Sequence, residues 1–189
     1  AAPLACIVAQ TEQGLIANHI PLLSGPDSKL IGHVALANDM HRTIADGQEV
    51  LTIFRGSDGY ISPNYYPTKF EHHQHVPTWN YQVVHAYGRI FFQHDDQSKR
   101  AAVGLLTRNH ERRLNGENAW RMADAPKDYM QKMLGGIVAF RIDVTRLIAR
   151  SKLSQNRDER DCLGAISGLR ESGQTALATG MERHLNRNK

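Results

Sequence analysis

With 189 residues and a formal net charge of +4, the chain is sized for one domain with a small appendage. A domain of this length hides roughly 70% of its extended surface on folding, so it needs neither a disulfide nor a metal to hold it together. No apolar run approaches ~20 residues, which excludes a membrane-spanning helix, and Ala1 to Ala9 lacks the basic flank of a secretory leader.

Cys6 and Cys162 are the only cysteines, far apart in sequence and outside any CxxC or Cys/His pattern. A reduced, cytoplasmic protein is the reading they favour. The 23 Lys and Arg residues are scattered rather than gathered into one stripe, so the signal for DNA as a partner is weak.

Taken in chain order, the first two-thirds reads as β-structure. Leu4–Gln10 and Leu15–Leu23 form a hairpin around Glu12-Gln13-Gly14, with Gly14 at positive φ. Gly25-Pro26-Asp27 turns the chain into a strand over Lys29–Ala35. Asn38 reads as the N-cap of a short helix over Asp39–Ala45, ended by Gly47. Val50–Phe54 is the next strand, and Gly56, Asp58 and Gly59 predict a turn before Tyr60-Ile61-Ser62. Pro63–His75 is a long loop, followed by a strand over Val76–Gln93 in which Gly88 marks a bulge or close approach.

The period then changes. Ala101, Ala102, Leu105 and Leu106 recur at helical spacing within Asp95–Arg113, and Pro126 opens a second helix through Leu134. Ile137–Val144 returns to strand, while Asp158–Arg170 and Gln174–Leu185 are helical. The class is mainly β with α decorations, a small barrel with helices inserted at about 95–134. Residues 1–145 make the barrel, and residues 146–189 make a C-terminal segment packed on it.

Two stretches stand out chemically. Pro77-Thr78-Trp79-Asn80-Tyr81 sets an aromatic pair around an amide, and Lys152-Leu153-Ser154-Gln155-Asn156-Arg157 packs two cations, a hydroxyl and two amides into six residues. Aromatic faces stack on flat rings, amides offer both donor and acceptor, and cations hold an anion. Together they suit a flat, anionic, hydrogen-bonding ligand, for which a flavin nucleotide is the natural candidate. Trp79 and Tyr81 would wall the slot, and Asn80, Gln82, Gln155 and Asn156 would read the ring edge.

A phosphate needs cations and hydroxyl or backbone donors. His33, Asn38, Arg42 and Thr43 supply imidazole, amide, guanidinium and hydroxyl within a dozen residues, close to a predicted helix start. His19 sits beside Asn18 in an otherwise apolar strand, where Pro21 suggests an edge that a ligand could approach. The histidine-rich run His72-His73-Gln74-His75 has no second ligand motif, so no metal site is assigned. GxGxxG, P-loop and GxSxG motifs are absent, and no nucleophile has an obvious base partner.

Six motifs in order, "ANHIPLL" at 17–23, "GHVALAN" at 32–38, "ISPNYY" at 61–66, "VPTWNY" at 76–81, "VVHAYG" at 83–88 and "KLSQNR" at 152–157, carry a family resemblance. The chain resembles the PaiB-type FMN-binding negative transcriptional regulators of the FMN-binding split-barrel group. That resemblance implies a split β-barrel, a homodimer, and FMN held at or near the subunit interface. It places the His33–Thr43 segment near the phosphate and the PTWNY and KLSQNR stretches elsewhere in the pocket. It also implies a further N-terminal stretch ahead of Leu4, and a proline-aromatic pair where this chain has Asp39-Met40-His41.

Three functions compete on this sequence. The first is an FMN-binding regulatory dimer. The second is a flavin-dependent oxidoreductase or flavin reductase-like enzyme, in which the protein orients the cofactor. The third is a haem-handling relative that uses the histidine surplus.

Overall fold

Alternation of apolar and polar residues builds the first strands. In β1 (Leu4–Thr11) the residues Ala5, Ile7 and Ala9 turn inward and their neighbours outward. β1 pairs antiparallel with β2 (Gly14–Pro21), from Leu4 opposite Pro21 to Thr11 opposite Gly14, and Gly14 has the positive φ expected of the turn. The second strand ends earlier than its apolar pattern predicts. Pro21 cannot donate to a ladder, Leu22 swings into the core, and only Leu23–Ser24 (β3) resumes pairing.

β4 (Lys29–Ala35) pairs with β3 and with β7 (Ile137–Lys152). With β5 (Glu49–Ile61) and β6 (Thr78–Gln93) the strands form a seven-stranded sheet in the order β2-β1-β5-β6-β7-β4-β3. The end strands β2 and β3 are not hydrogen-bonded to each other, so the sheet is not closed. This is the open, mainly antiparallel arrangement of a split barrel.

This computed structural model describes residues 3–187. It divides into two units, one comprising residues up to Phe54 with His85–Ile148, the other Arg55–Val84 with residues from Ala149 onward. The first unit has a core that includes Ile7, Val50, Ile90, Val138, Phe140 and Ile142. Each such large apolar side chain contributes about 1.5–3 kcal/mol relative to exposure. Helices α1 (Met40–Thr43), α3 (Asp96–Asn115) and α4 (Lys127–Gly135) belong to it. The side chain of Asp95 caps α3 by accepting the Ser98 N–H at 2.8 Å, at the boundary that the acidic pair predicted.

The second unit contains α2 (Lys69–His72), α5 (Glu159–Glu171) and α6 (Thr175–Arg187). Cys162, Ala165, Ile166 and Leu169 repeat at helical spacing and give α5 one apolar face. Its core joins Ile61, Tyr66 and Leu153 to Leu169, Leu177 and Met181. Asp158 caps α5, accepting the Asp161 N–H at 2.8 Å.

Three expectations are corrected here. β5 runs unbroken through Gly56, Asp58 and Gly59, where a turn was predicted. The glycines serve close packing instead: a Cβ on Gly59 would lie 1.8 Å from Gln174 Oε1 and 3.0 Å from Leu177, and one on Gly56 would lie 3.2 Å from Gln82 Cβ. α1 has four residues rather than seven, and Asp39, not Asn38, is its N-cap. The loop over residues 63–75 holds a 3₁₀ turn at Pro63–Tyr65 and the short α2. Of the two readings predicted for Gly88, a bulge or a close approach, the close approach is found, since a Cβ there would meet Asp143 O at 2.5 Å.

Candidate functional site

The residues expected at the phosphate lie in the first unit. α1 brings Arg42 and Thr43 to a surface cavity of about 550 Å³, shared with Gln10, Thr11, Glu12 and Gln48. Guanidinium, hydroxyl and amide donors are the set a phosphate requires. Arg42 is meanwhile ion-paired with Asp39, and its hydrogen bond and charge hold the Asp39 carboxyl below its ordinary range. The Thr43 hydroxyl donates to Asp39 O at 3.0 Å. An arriving phosphate would therefore compete with Asp39 for the guanidinium.

The other two, Asn38 and His33, and the edge candidate His19 are placed differently. Asn38 accepts the Met40 N–H at 2.8 Å and donates to Asn18 Oδ1 at 3.0 Å, so it shapes the turn before α1. His33 stands on β4 opposite Ala139, half-buried, with Nδ1 enclosed and without a partner. Burial lowers its pKa, which favours the neutral imidazole over a phosphate-pairing cation. His19 is exposed on β2 opposite Cys6. None of these three lines the cavity of Arg42 and Thr43.

The ring-side residues lie in the second unit, and there the two distant stretches meet. Lys152 Nζ donates to Thr78 Oγ1 at 2.5 Å, and Asn80 Nδ2 donates to Ser154 Oγ at 2.9 Å. Strand alternation sends Asn80 inward, fully buried against Met181, with its Oδ1 lacking a partner. Trp79 faces outward and is 51% exposed; its Nε1 donates to Asp58 Oδ1 at 3.3 Å, and its ring meets Tyr60 edge-on at 6.3 Å. Tyr81, on the same face of β6, is half-buried.

The KLSQNR turn is largely bonded to itself. Gln155 Oε1 accepts the Leu153 N–H at 2.7 Å and Nε2 donates to Ser151 O, while Ser154 holds a left-handed φ of 64°. Asn156 is exposed. Arg157 points to His75 Nδ1 at 3.0 Å and stacks over Tyr66 with its Cζ 5.1 Å from the ring centroid. The outward set is therefore Trp79, Lys152, Gln155 and Asn156; Asn80 turns inward, and Arg157 is engaged with His75 and Tyr66.

A buried polar chain in this unit escaped the sequence reading. Arg157 only donates, so His75 Nδ1 accepts and the ring proton sits on Nε2. Nε2 lies 2.6 Å from Thr68 Oγ1, which donates to Asp161 Oδ2 at 2.7 Å. The Thr68 N–H also reaches Asp161 Oδ1 at 3.1 Å. Burial raises the pKa of Asp161, but the two Thr68 hydrogen bonds and the nearby Arg157 charge outweigh it, leaving the carboxyl below its ordinary value. Asp161 reads in sequence as a first-turn helix acid, and nothing in that position distinguishes a buried partner from a solvated one.

The chain matches the family described as "Putative FMN-binding domain" over residues 1–146. It is 36% identical over 168 residues to the Bacillus subtilis "Protease synthase and sporulation protein PAI 2", covering 86% of this chain and 76% of the relative. Among solved structures it resembles an FAD- and haem-binding protein from Mycobacterium smegmatis, with a TM-score of 0.59 at 18% identity over 87% of this chain and 72% of that one. It also resembles the flavocytochrome Anf3 from Azotobacter vinelandii, with a TM-score of 0.57 at 14% identity over 85% of this chain and 67% of that one. These two likenesses speak to the fold alone. Extended match and relative agree: the chain belongs to the FMN-binding family that includes the PaiB-type proteins, and FMN is the cofactor of that family.

Proposed function

We propose that the protein is an FMN-binding homodimer of the PaiB type, cytoplasmic, acting as a negative regulator of transcription. The observation that carries the flavin part is the meeting of residues 77–81 with 152–157 through the Thr78–Lys152 and Asn80–Ser154 bonds, with Trp79 half-exposed on the other face of β6. An exposed aromatic face and a cation are each groups that a stacked, anionic ring system uses. Within the first unit Arg42 and Thr43 are the groups proposed for a phosphate, and within the second Gln155 and Asn156 are those proposed for a ring edge. Bound FMN would supply one- or two-electron redox chemistry or a redox-sensitive ligand; the chain's own part is to bind and orient it.

The dimer has separate support. β7 lies inside the strand order, yet Thr145, Arg146, Leu147 and Ala149–Lys152 are all exposed, Leu147 at 64%. An interior strand bare along such a length suits cover by a second copy. The regulatory role rests on the likeness to the sporulation-associated relative.

Fluorescence titration with FMN tests the central reading. Saturable binding with a dissociation constant on the order of micromolar, about 8 kcal/mol, is expected. No change in flavin fluorescence at on the order of tens of micromolar protein would overturn it. A regulator would also bind promoter DNA with an affinity that falls steeply with salt. Turnover of a reduced nicotinamide with bound FMN, without salt-dependent DNA binding, would favour the oxidoreductase reading instead.

A further inference from the structure

One cavity of the first unit is lined by none of the residues assigned to flavin. It measures about 900 Å³ and opens between α3 and the segment that follows it, with Arg108, Arg112, Arg121, Trp120, Glu117 and Met122 among its lining. That volume is in the range of a small-molecule site. Its charge is one-sided: three guanidiniums face one carboxylate, a balance of +2. Arg108, Arg112 and Arg121 take part in no ion pair among the described residues.

The pocket is held in shape by groups other than those it presents. Residues 104, 108 and 112 are spaced four apart, so Gly104, Arg108 and Arg112 lie along one face of α3. Gly104 keeps the floor low, with Met122 Sδ 3.5 Å from where a Cβ would stand. Glu111 Oε2 accepts the Trp120 N–H at 3.0 Å and Asn115 Nδ2 at 2.8 Å, pinning the returning segment to the helix. Asp124 Oδ2 accepts the Arg121 N–H at 2.8 Å and fixes the next turn. The indole of Trp120 is left 43% exposed.

We propose that this pocket binds a free nucleoside phosphate, its base stacked on Trp120 and its phosphates gripped by Arg108, Arg112 and Arg121. Guanidinium forks match phosphate oxygens in pairs, and an indole accepts any planar base. A net +2 pocket suits the charge of a terminal diphosphate better than that of a monocarboxylate. A volume of about 900 Å³ is enough for one free nucleotide.

Isothermal titration of the full chain, saturated with FMN so that the flavin site is filled, tests this with ADP as the probe. One ADP per chain is expected to bind saturably, with adenosine and inorganic phosphate each at least about tenfold weaker, because each offers only half of the recognised chemistry. Arg108→Ala with Arg112→Ala should weaken ADP by at least about tenfold, while Trp120→Ala weakens ADP and leaves inorganic phosphate unchanged. Circular dichroism melting confirms that each variant folds, and Arg108→Lys with Arg112→Lys provides a second, milder pair. Absence of saturation at millimolar ADP, or equal ADP affinity in folded arginine variants, overturns the proposal. It is equally overturned if a short DNA duplex binds through these arginines and ADP does not compete.

Discussion

At the residue scale, the assigned roles make separable demands. Arg42→Ala is expected to weaken FMN by roughly tenfold, about 1.4 kcal/mol, and riboflavin much less, because riboflavin lacks the phosphate. Equal losses in parallel titrations would remove Arg42 from that role. His33 governs a pH effect of definite sign. Its pKa is lowered from 6.5 by burial, so below that value the unfolded chain takes up a proton that the folded chain resists. Stability should fall as pH drops from about 6.5 toward the folded value, and His33→Gln should flatten that slope in urea titrations across the range. Asp161 acts in a more acidic window. Its lowered pKa contributes stability above the ordinary carboxylate value, and this is lost as pH falls through the folded one. Asp161→Ala strands the Thr68 hydroxyl and N–H and should cost about 3 kcal/mol at neutral pH in the same assay.

At the scale of elements, glycines reveal the difference between local pattern and packing. Gly88 on β6 faces Asp143 O on β7, a backbone atom that cannot rotate away. Gly88→Ala should therefore cost about 1–3 kcal/mol in thermal unfolding, and a neutral effect would mean that the strands can part there. Gly88 was legible as a bulge or close approach because a glycine interrupts a long alternating strand. Gly56 and Gly59 were not: a Gly-Ser-Asp-Gly run carries the same signature whether it turns the chain or admits Gln174 and Leu177 against a strand. α3 and α5 were legible because their apolar spacing and acidic caps agree. α1 was harder, since a four-residue helix offers too few positions for a period to appear.

For the whole molecule, assembly is the point at issue. Leu147→Asp is expected to turn a dimer into a folded monomer in size-exclusion chromatography with light scattering, because a buried carboxylate has no partner in a symmetric contact. A dimer unchanged by this substitution would place the subunit contact elsewhere. FMN binding measured on the same variant then tells whether the pocket is complete in a single copy.

What the sequence determined by itself is local in origin or spread over many motifs: the mainly β class, most element positions, the FMN-binding family, and the pairing of PTWNY with KLSQNR as one chemical set. Periodicity, caps and ordered motifs survive without coordinates because each is written in neighbouring residues. Tertiary structure alone decided that Asn80 faces inward while Trp79 faces out, that Arg157 and His75 join Thr68 and Asp161 in a buried chain, and that three arginines and Trp120 line one cavity. Those facts depend on which side chains long-range packing brings within a few ångströms, and residues 82 positions apart, as His75 and Arg157 are, leave no local trace of such a meeting.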